Sequence, residues 1–177
     1  MQSKAQGFEP PTEGKAVIYF TRISNFAFGV EISFFDNDEY LGTFKKRNYF
    51  RYECDPGKKL IWAAANNKIF VQSELKANCI YIVKVDAFPD GLTGGCNLDP
   101  KDYNNPDNAE ELAEVIKLVN EKEPISFTSN DLTKKKKKYD KLISEQLARY
   151  KEEFSDKETP RQIKAEWSIS LEKLSLN

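Results

Sequence analysis

The stretch that decides the fold is KAVIYFTR, residues 15–22. Its β-branched and aromatic residues are typical of a β-strand. Successive side chains of a strand point to opposite faces, and here both sets are largely apolar. A strand with one face in water would instead alternate apolar and polar residues. The stretch therefore predicts a strand inside a β-sandwich, where both faces are covered.

More segments of strand length follow, and turn signals separate them about every 8 to 12 residues. The segments are VEISFF, EYLGTF, NYFRYEC, KLIWAAA, KIFVQSEL and CIYIVKVDAF. The cluster Asp36-Asn37-Asp38 predicts a hairpin tip, and Pro56-Gly57 predicts a tight turn. Residues 13–90 are therefore predicted to form an antiparallel β-sandwich of about seven or eight strands.

The rest of the chain adds helices, so the fold class is mainly β with α (α+β). Residues 91–106 are rich in Gly, Pro, Asn and Asp and predict a loop. Residues 107–157 predict two helices, which we expect to pack on the sandwich as a pair. Apolar residues recur at helical spacing in both. They are Leu112, Val115, Ile116 and Val119 in the first helix, and Tyr139, Ile143, Leu147, Tyr150 and Phe154 in the second.

Residues 161–174 carry apolar side chains at alternate positions, from Ile163 to Leu171. This period favours a final strand that belongs to the same structural unit. Thr159-Pro160 would also suit the start of a helix, so that alternative stays open.

Composition excludes several kinds of site. The chain of 177 residues has no histidine, which removes Ser-His and Cys-His pairs and all His-containing zinc sites. Cys54, Cys79 and Cys96 have no metal or redox spacing, and we interpret them as small apolar residues. Whether Cys54 and Cys79 pair is left open. We expect no cofactor, no metal and, without a run of about 18 apolar residues, no transmembrane segment.

Five lysines occupy residues 134–138, near the start of the second predicted helix. Five successive residues surround a helix and cannot form one basic face. The first predicted helix is acidic, so we expect antiparallel helix packing to pair the charges, with Lys134, Lys137 and Lys138 solvated or facing that helix. The alternative is a patch of these three lysines for an anionic surface. Nucleic acid is disfavoured because the net charge is −1.

Two further sets of residues are candidates for function. Phe26 and Phe28 lie in SNFAFG, outside the predicted strands, and are the candidate contact surface. Glu31, Glu53 and Glu74 lie on predicted strands and could meet as paired carboxylates of a hydrolase. No feature selects a pair among them, so we name no catalytic residue and expect no enzyme.

Three segments resemble a bacterial family of small envelope proteins of unknown function: EGKAVIYFTR (13–22), DPGKKLIWAA (55–64) and KANCIYIVKV (76–85). Members typically read Gly-Lys-Ala-x-Val-Tyr-hydrophobic-x-Arg, then a Pro-Gly-Lys/His turn and an Ala-Gly-Lys-x-Tyr-Tyr strand. The resemblance implies a transthyretin-like or PEGA-like sandwich. Many members are lipoproteins or secreted proteins by sequence.

The resemblance therefore implies a non-catalytic binding module, with an unknown protein or envelope component as its partner. Its location would be the periplasm, the outer membrane surface or the medium, with peripheral or lipid-anchored membrane association. The first residues, MQSKAQGFEP, are polar and read as a mature N-terminus, so we expect that a native signal peptide has been removed. A cytoplasmic interaction protein is the alternative.

Overall fold

Nine strands and three α-helices form in the part of the chain that this computed structural model describes, residues 7–175. The expected mature N-terminus, residues 1–6, lies outside it. The strands are β1 (Ala16–Arg22), β2 (Ile32–Asp36), β3 (Glu39–Phe44), β4 (Asn48–Cys54), β5 (Gly57–Ala64), β6 (Lys68–Leu75), β7 (Ile80–Phe88), β8 (Gly95–Pro100) and β9 (Arg161–Ile163). The helices are α1 (Ala109–Glu121), α2 (Ser129–Phe154) and α3 (Leu171–Ser175), and two short 3-10 segments span Pro106–Asn108 and Ala165–Trp167.

The strands form two sheets that pack face to face, which confirms the predicted α+β sandwich. Sheet one has the strand order β4-β1-β7-β8, and sheet two has the order β3-β2-β5-β6-β9. Most pairs are antiparallel, but β1 pairs with β7 and β6 pairs with β9 in parallel. The fully antiparallel arrangement predicted from sequence is wrong at these two places, because β1 and β9 enter their sheets from distant parts of the chain.

β1 is covered on both faces, as its sequence predicts. Alternate side chains from Ala16 to Phe20 enter the core between the sheets. Val17 and Tyr19 point the other way, into a second apolar cluster on the outer face of sheet one. All seven residues of the strand are buried. Because successive side chains of a strand alternate, one buried strand requires a layer on each side.

The helices supply the outer layers, one on each face of the sandwich. α1 packs on sheet one through five buried side chains: Leu112, Val115, Ile116, Leu118 and Val119. α2 packs on sheet two, where Tyr139 stacks on Tyr40 with 5.2 Å between ring centroids and Tyr150 lies 5.4 Å from Phe70. The layer order is therefore α1, sheet one, sheet two, α2.

The prediction that the two helices pack against each other is therefore wrong. Each sheet has an apolar outer face of its own, and one helix covers each. The linker between them, residues 122–128, runs along the edge of the sandwich. There the backbone N–H of Ile125 donates to the Tyr49 carbonyl of edge strand β4 at 2.9 Å. Phe127 then packs against the core between the sheets.

The predicted loop at residues 91–106 contains strand β8, which is a second correction. Cys96 and Leu98 are buried, and β8 pairs with β7 along its length. Asn67 also holds this strand, because its side chain accepts from the Cys96 N–H at 2.7 Å and donates to the Cys96 carbonyl at 2.8 Å. The strand has only six residues and is flanked by segments rich in Gly and Asn, so its sequence pattern is hard to recognise.

The predicted final strand over residues 161–174 is correct only for β9. The chain then forms the 3-10 segment and α3, with an isolated bridge between Ile169 and Ile80. Ile163 enters the core between the sheets, whereas Ile169 enters the cluster under α1. The segment thus crosses from one layer to another, and a straight strand cannot do that. The alternating apolar pattern is real, but its members face different layers.

The three cysteines are free, and Cys54 and Cys96 are buried. Burial raises the pKa of the Cys54 thiol to about 11 and that of Cys96 to about 12. Protonated thiols in apolar surroundings are inert. Cys54 and Cys79 do not pair, which settles the alternative that the sequence left open.

Gly42 is required by the linker that joins the helices. It pairs with Phe34 beside a bulge in β3, where Leu41 is the extra residue, and its φ is 147°. A Cβ at this position would overlap the ring of Phe127. We expect Gly42→Ala to lower the free energy of unfolding by about 1–3 kcal/mol through overpacking, measured by urea denaturation.

Gly57→Ala is the matched control, because Gly57 also has a positive φ of 115° but no atom within 4 Å of the added Cβ. The control carries backbone strain without the clash. Equal losses in the two variants would contradict the role of Phe127.

Candidate functional site

The most exposed aromatic side chains lie at one end of the sandwich. Phe26 is 64% exposed and Phe28 is 80% exposed, both in the loop between β1 and β2. The partly exposed Phe88 is the last residue of β7, and the fully exposed Leu92 lies in the connection from β7 to β8. These four are the large exposed apolar side chains of residues 7–175. We call the surface formed by residues 24–29 and 88–94 the aromatic loop end.

An open groove of about 810 Å³ joins the two loops. Phe28 and Leu92 line it from the loops, and Tyr139 and Leu142 line it from α2. Both predicted contact residues, Phe26 and Phe28, are therefore placed together on one surface, with a groove behind Phe28.

A buried arginine holds the first loop. Arg22, at the end of β1, is 1% exposed. Its Nη2 donates to the carbonyl oxygens of Phe26 at 3.1 Å and Ala27 at 2.9 Å, and its Nη1 donates to that of Val30 at 3.2 Å. Burial lowers the pKa of Arg22 from its ordinary value. One guanidinium thus fixes the backbone from which Phe26 and Phe28 project.

The connection between β3 and β4 supports the same loop. The N–H of Gly29 donates to the Lys45 carbonyl at 2.9 Å. Arg47 donates from its backbone N–H to Asn25 Oδ1 and from its Nε to the Ile23 carbonyl, each at 3.2 Å. The loop therefore has a defined shape although its aromatic side chains lie in solvent.

The second loop is held by its own turn and by the β5–β6 connection. The N–H of Gly94 donates to the Asp90 carbonyl at 2.9 Å. Asn66 donates two further hydrogen bonds, from its backbone N–H to the Gly94 carbonyl at 3.1 Å and from its side-chain amide to Asp90 Oδ2 at 3.0 Å. These bonds set the position of Leu92 at the tip.

The lysine run lies on the first part of α2. Lys134, Lys137 and Lys138 are exposed, as is Lys135. Lys136 turns inward instead, and its Nζ lies 2.8 Å from Glu39 Oε1 at the β2–β3 hairpin. The predicted pairing with the acidic helix is wrong, because α1 covers the opposite face of the sandwich.

The three carboxylates named as hydrolase candidates are not brought together. Glu31 pairs with Lys45 at 3.0 Å, at the loop end of sheet two. Glu74 lies opposite Lys58, towards the other end of that sheet. Glu53 belongs to sheet one, and hydrogen bonds from Thr12 and then Arg51 lower its pKa to about 2. Each carboxylate has a different environment.

A charged cluster that the sequence did not indicate lies between α1 and sheet one. Glu111 accepts from the Tyr103 hydroxyl at 2.6 Å, from Lys101 Nζ at 2.8 Å and from Lys84 Nζ at 3.0 Å. Burial favours the neutral carboxyl, but these three donors outweigh it and lower the pKa of Glu111. An anionic, fully bonded carboxylate ties α1 to β7 and β8. No local spacing in the sequence links these residues.

Comparison with models of known protein families gives no match, and comparison with curated proteins gives no match either. Within residues 7–175 no group of His, Cys, Asp and Glu is arranged to hold a metal ion. None of the helices described has the length and apolar character to cross a membrane. The aromatic loop end is the candidate site because it carries the large exposed apolar side chains of residues 7–175.

Replacing the buried arginine tests how the loop is held. Arg22→Met keeps the length of the side chain but leaves the carbonyls of Phe26, Ala27 and Val30 without their donor. We expect the free energy of unfolding to fall by about 1–3 kcal/mol and amide exchange at residues 26–30 to accelerate. Lys137→Met, at an exposed position of α2, is the control and should change stability by less than about 1 kcal/mol. Unchanged exchange in the loop would contradict the anchoring role.

Proposed function

We propose that this chain is a non-catalytic binding module that uses the aromatic loop end as its contact surface. The observation that carries the proposal is the exposure of Phe26 and Phe28 on a loop fixed by Arg22. Apolar side chains left in water lower the solubility of a protein, and several of them grouped at one end of a molecule indicate an interaction site. A loop fixed in shape before binding also loses less conformational entropy on contact.

The resemblance of the strand region supports a place in the bacterial envelope or outside the cell. Two of the motifs that carry the resemblance form parts of the sandwich. KAVIYFTR forms β1, with Arg22 as its last residue, and Pro56-Gly57 makes the crossing from β4 in sheet one to β5 in sheet two. These residues form the sandwich and anchor the loop, so the resemblance favours a scaffold shared with that family. A cytoplasmic interaction protein would use the same surface.

The hydrolase alternative has less support from the geometry. A paired-carboxylate mechanism needs two carboxyl groups in one cleft, one of them with a raised pKa. The three candidates lie apart. Hydrogen bonds lower the pKa of the carboxyl groups of Glu53, Asp55 and Glu111, the opposite of what a general acid needs.

Site-specific photo-crosslinking in the native host tests the proposal. A photoreactive phenylalanine analogue placed at residue 28 should form a covalent adduct with a defined protein or lipid, which mass spectrometry identifies. The same analogue at Lys117, which is exposed on α1 at the opposite face, is the control. Adducts at residue 28 alone support the contact surface. The absence of an adduct at residue 28, or the same adduct at both positions, contradicts it.

A further inference from the structure

We propose that the partner of the aromatic loop end is a phospholipid bilayer with anionic headgroups. Phe26, Phe28 and Leu92 enter the interfacial region of the bilayer, and lysines around them contact the headgroups. This inference rests on the proposed function and names the partner of the same surface.

The shape of the surface favours a bilayer over a protein. Phe26, Phe28 and Leu92 project from the tips of two loops, and Leu92 is fully exposed. A stable protein interface buries about 800 Å² on each partner around a well-packed centre. Separate apolar tips suit a bilayer interface, because lipid chains and headgroups adapt to each side chain.

Lysines flank the apolar tips on the side of β3 and β4. Lys45 is held against the first loop through the hydrogen bond from Gly29 to its carbonyl. Lys46 follows it, is exposed and forms no ion pair within the described residues. Lys45 pairs with Glu31 at 3.0 Å, but both side chains remain largely in solvent, so the pair exchanges easily for a headgroup contact.

Further lysines flank the tips on the side of α2. Lys135 and Lys138 precede Leu142 by seven and four residues, which places all three on one face of the helix. Leu142 lines the groove together with Phe28 and Leu92. Lys135 and Lys138 are exposed, and no acidic helix neutralises them because α1 lies on the far side of the sandwich.

Lysines outnumber acidic residues at this end of the sandwich. The lysines are Lys45, Lys46, Lys68, Lys135 and Lys138, and the acidic residues are Glu31, Asp90 and Glu121, which lies 3.7 Å from Arg47. An anionic bilayer attracts such a cluster over about a Debye length, and the attraction falls as salt is added.

The opposite end of sheet two has a different arrangement of charges. At the β2–β3 hairpin, Asp36 is buried and pairs with Lys59 at 3.0 Å, and Glu39 pairs with Lys136 at 2.8 Å. The large exposed apolar side chains of residues 7–175 lie at the aromatic loop end and not at this hairpin. We therefore expect an anionic bilayer to be contacted by the aromatic loop end, where lysines and exposed apolar side chains occur together.

Co-sedimentation of the full chain with vesicles tests the inference. The vesicles contain phosphatidylethanolamine with phosphatidylglycerol, and vesicles of phosphatidylcholine alone are the neutral comparison. Wild-type protein should bind the anionic vesicles more tightly than the neutral ones, and added salt should weaken the binding. The triple variant Phe26→Ala, Phe28→Ala, Leu92→Ala should bind at least about tenfold more weakly.

Charge variants locate the lysines that contribute. Lys45→Gln with Lys46→Gln, and separately Lys135→Gln with Lys138→Gln, should each weaken binding by roughly tenfold. Lys58→Gln with Lys76→Gln removes the same charge at the opposite end of sheet two, and should leave binding unchanged. All the altered side chains are exposed, so an unchanged thermal transition verifies that each variant is folded.

Three results would overturn the inference: no binding of wild-type protein to anionic vesicles, equal binding to neutral ones, or equal losses in the control pair and the loop-end pairs. If vesicles do not bind but the photoreactive group at residue 28 captures a protein, the bilayer is the wrong partner and the proposed function stands. If neither occurs, both proposals fail.

Discussion

The structure depends on one constraint: β1 is apolar on both faces. Its inner side chains, such as Phe20, need a second sheet, and its outer side chains, such as Tyr19, need a helix. Sheet two then presents an outer face of its own, where Phe35 stacks on Trp62 with ring centroids 3.9 Å apart. That face requires α2. The four layers follow from burying each apolar surface in turn.

The same strand joins the core to the surface. β1 ends at Arg22, which is buried with the strand. Its side chain donates hydrogen bonds to backbone carbonyls of the loop that follows. The rigid part of the molecule thus sets the position of the exposed Phe26 and Phe28. Burying a charged group is costly unless it is hydrogen-bonded. Here backbone carbonyls accept from both Nη atoms, whereas Nε is buried without a partner among the described residues. Because the backbone of the loop is fixed in this way, its apolar side chains stay exposed and do not fold back onto the protein.

The sequence predicted those features that depend on local patterns. β1, the Asp36–Asp38 hairpin tip and the apolar face of α2 follow from periodicity and turn residues, and the structure has all three. Phe26 and Phe28 stood out because no strand pattern included them. Their exposure agrees with that, whereas their contact role remains a proposal.

Features that depend on distant contacts were missed. The opposite charges of α1 and α2 suggested that the two helices pack against each other. The burial of their apolar faces decides where they lie, because exposed ion pairs contribute little to stability. β8 is held by Asn67, far away in sequence, and residues 161–174 distribute their apolar side chains between two layers. The anchoring role of Arg22 and the bonds to Glu111 likewise leave no trace in local spacing.

The central claim, that the anchored loop end docks on an anionic bilayer, is tested most directly by amide hydrogen exchange of the full chain with and without anionic vesicles. The account predicts added protection at residues 24–29 and 89–94 and none in α1, whereas protection confined to α1, or none in the two loops, would contradict it.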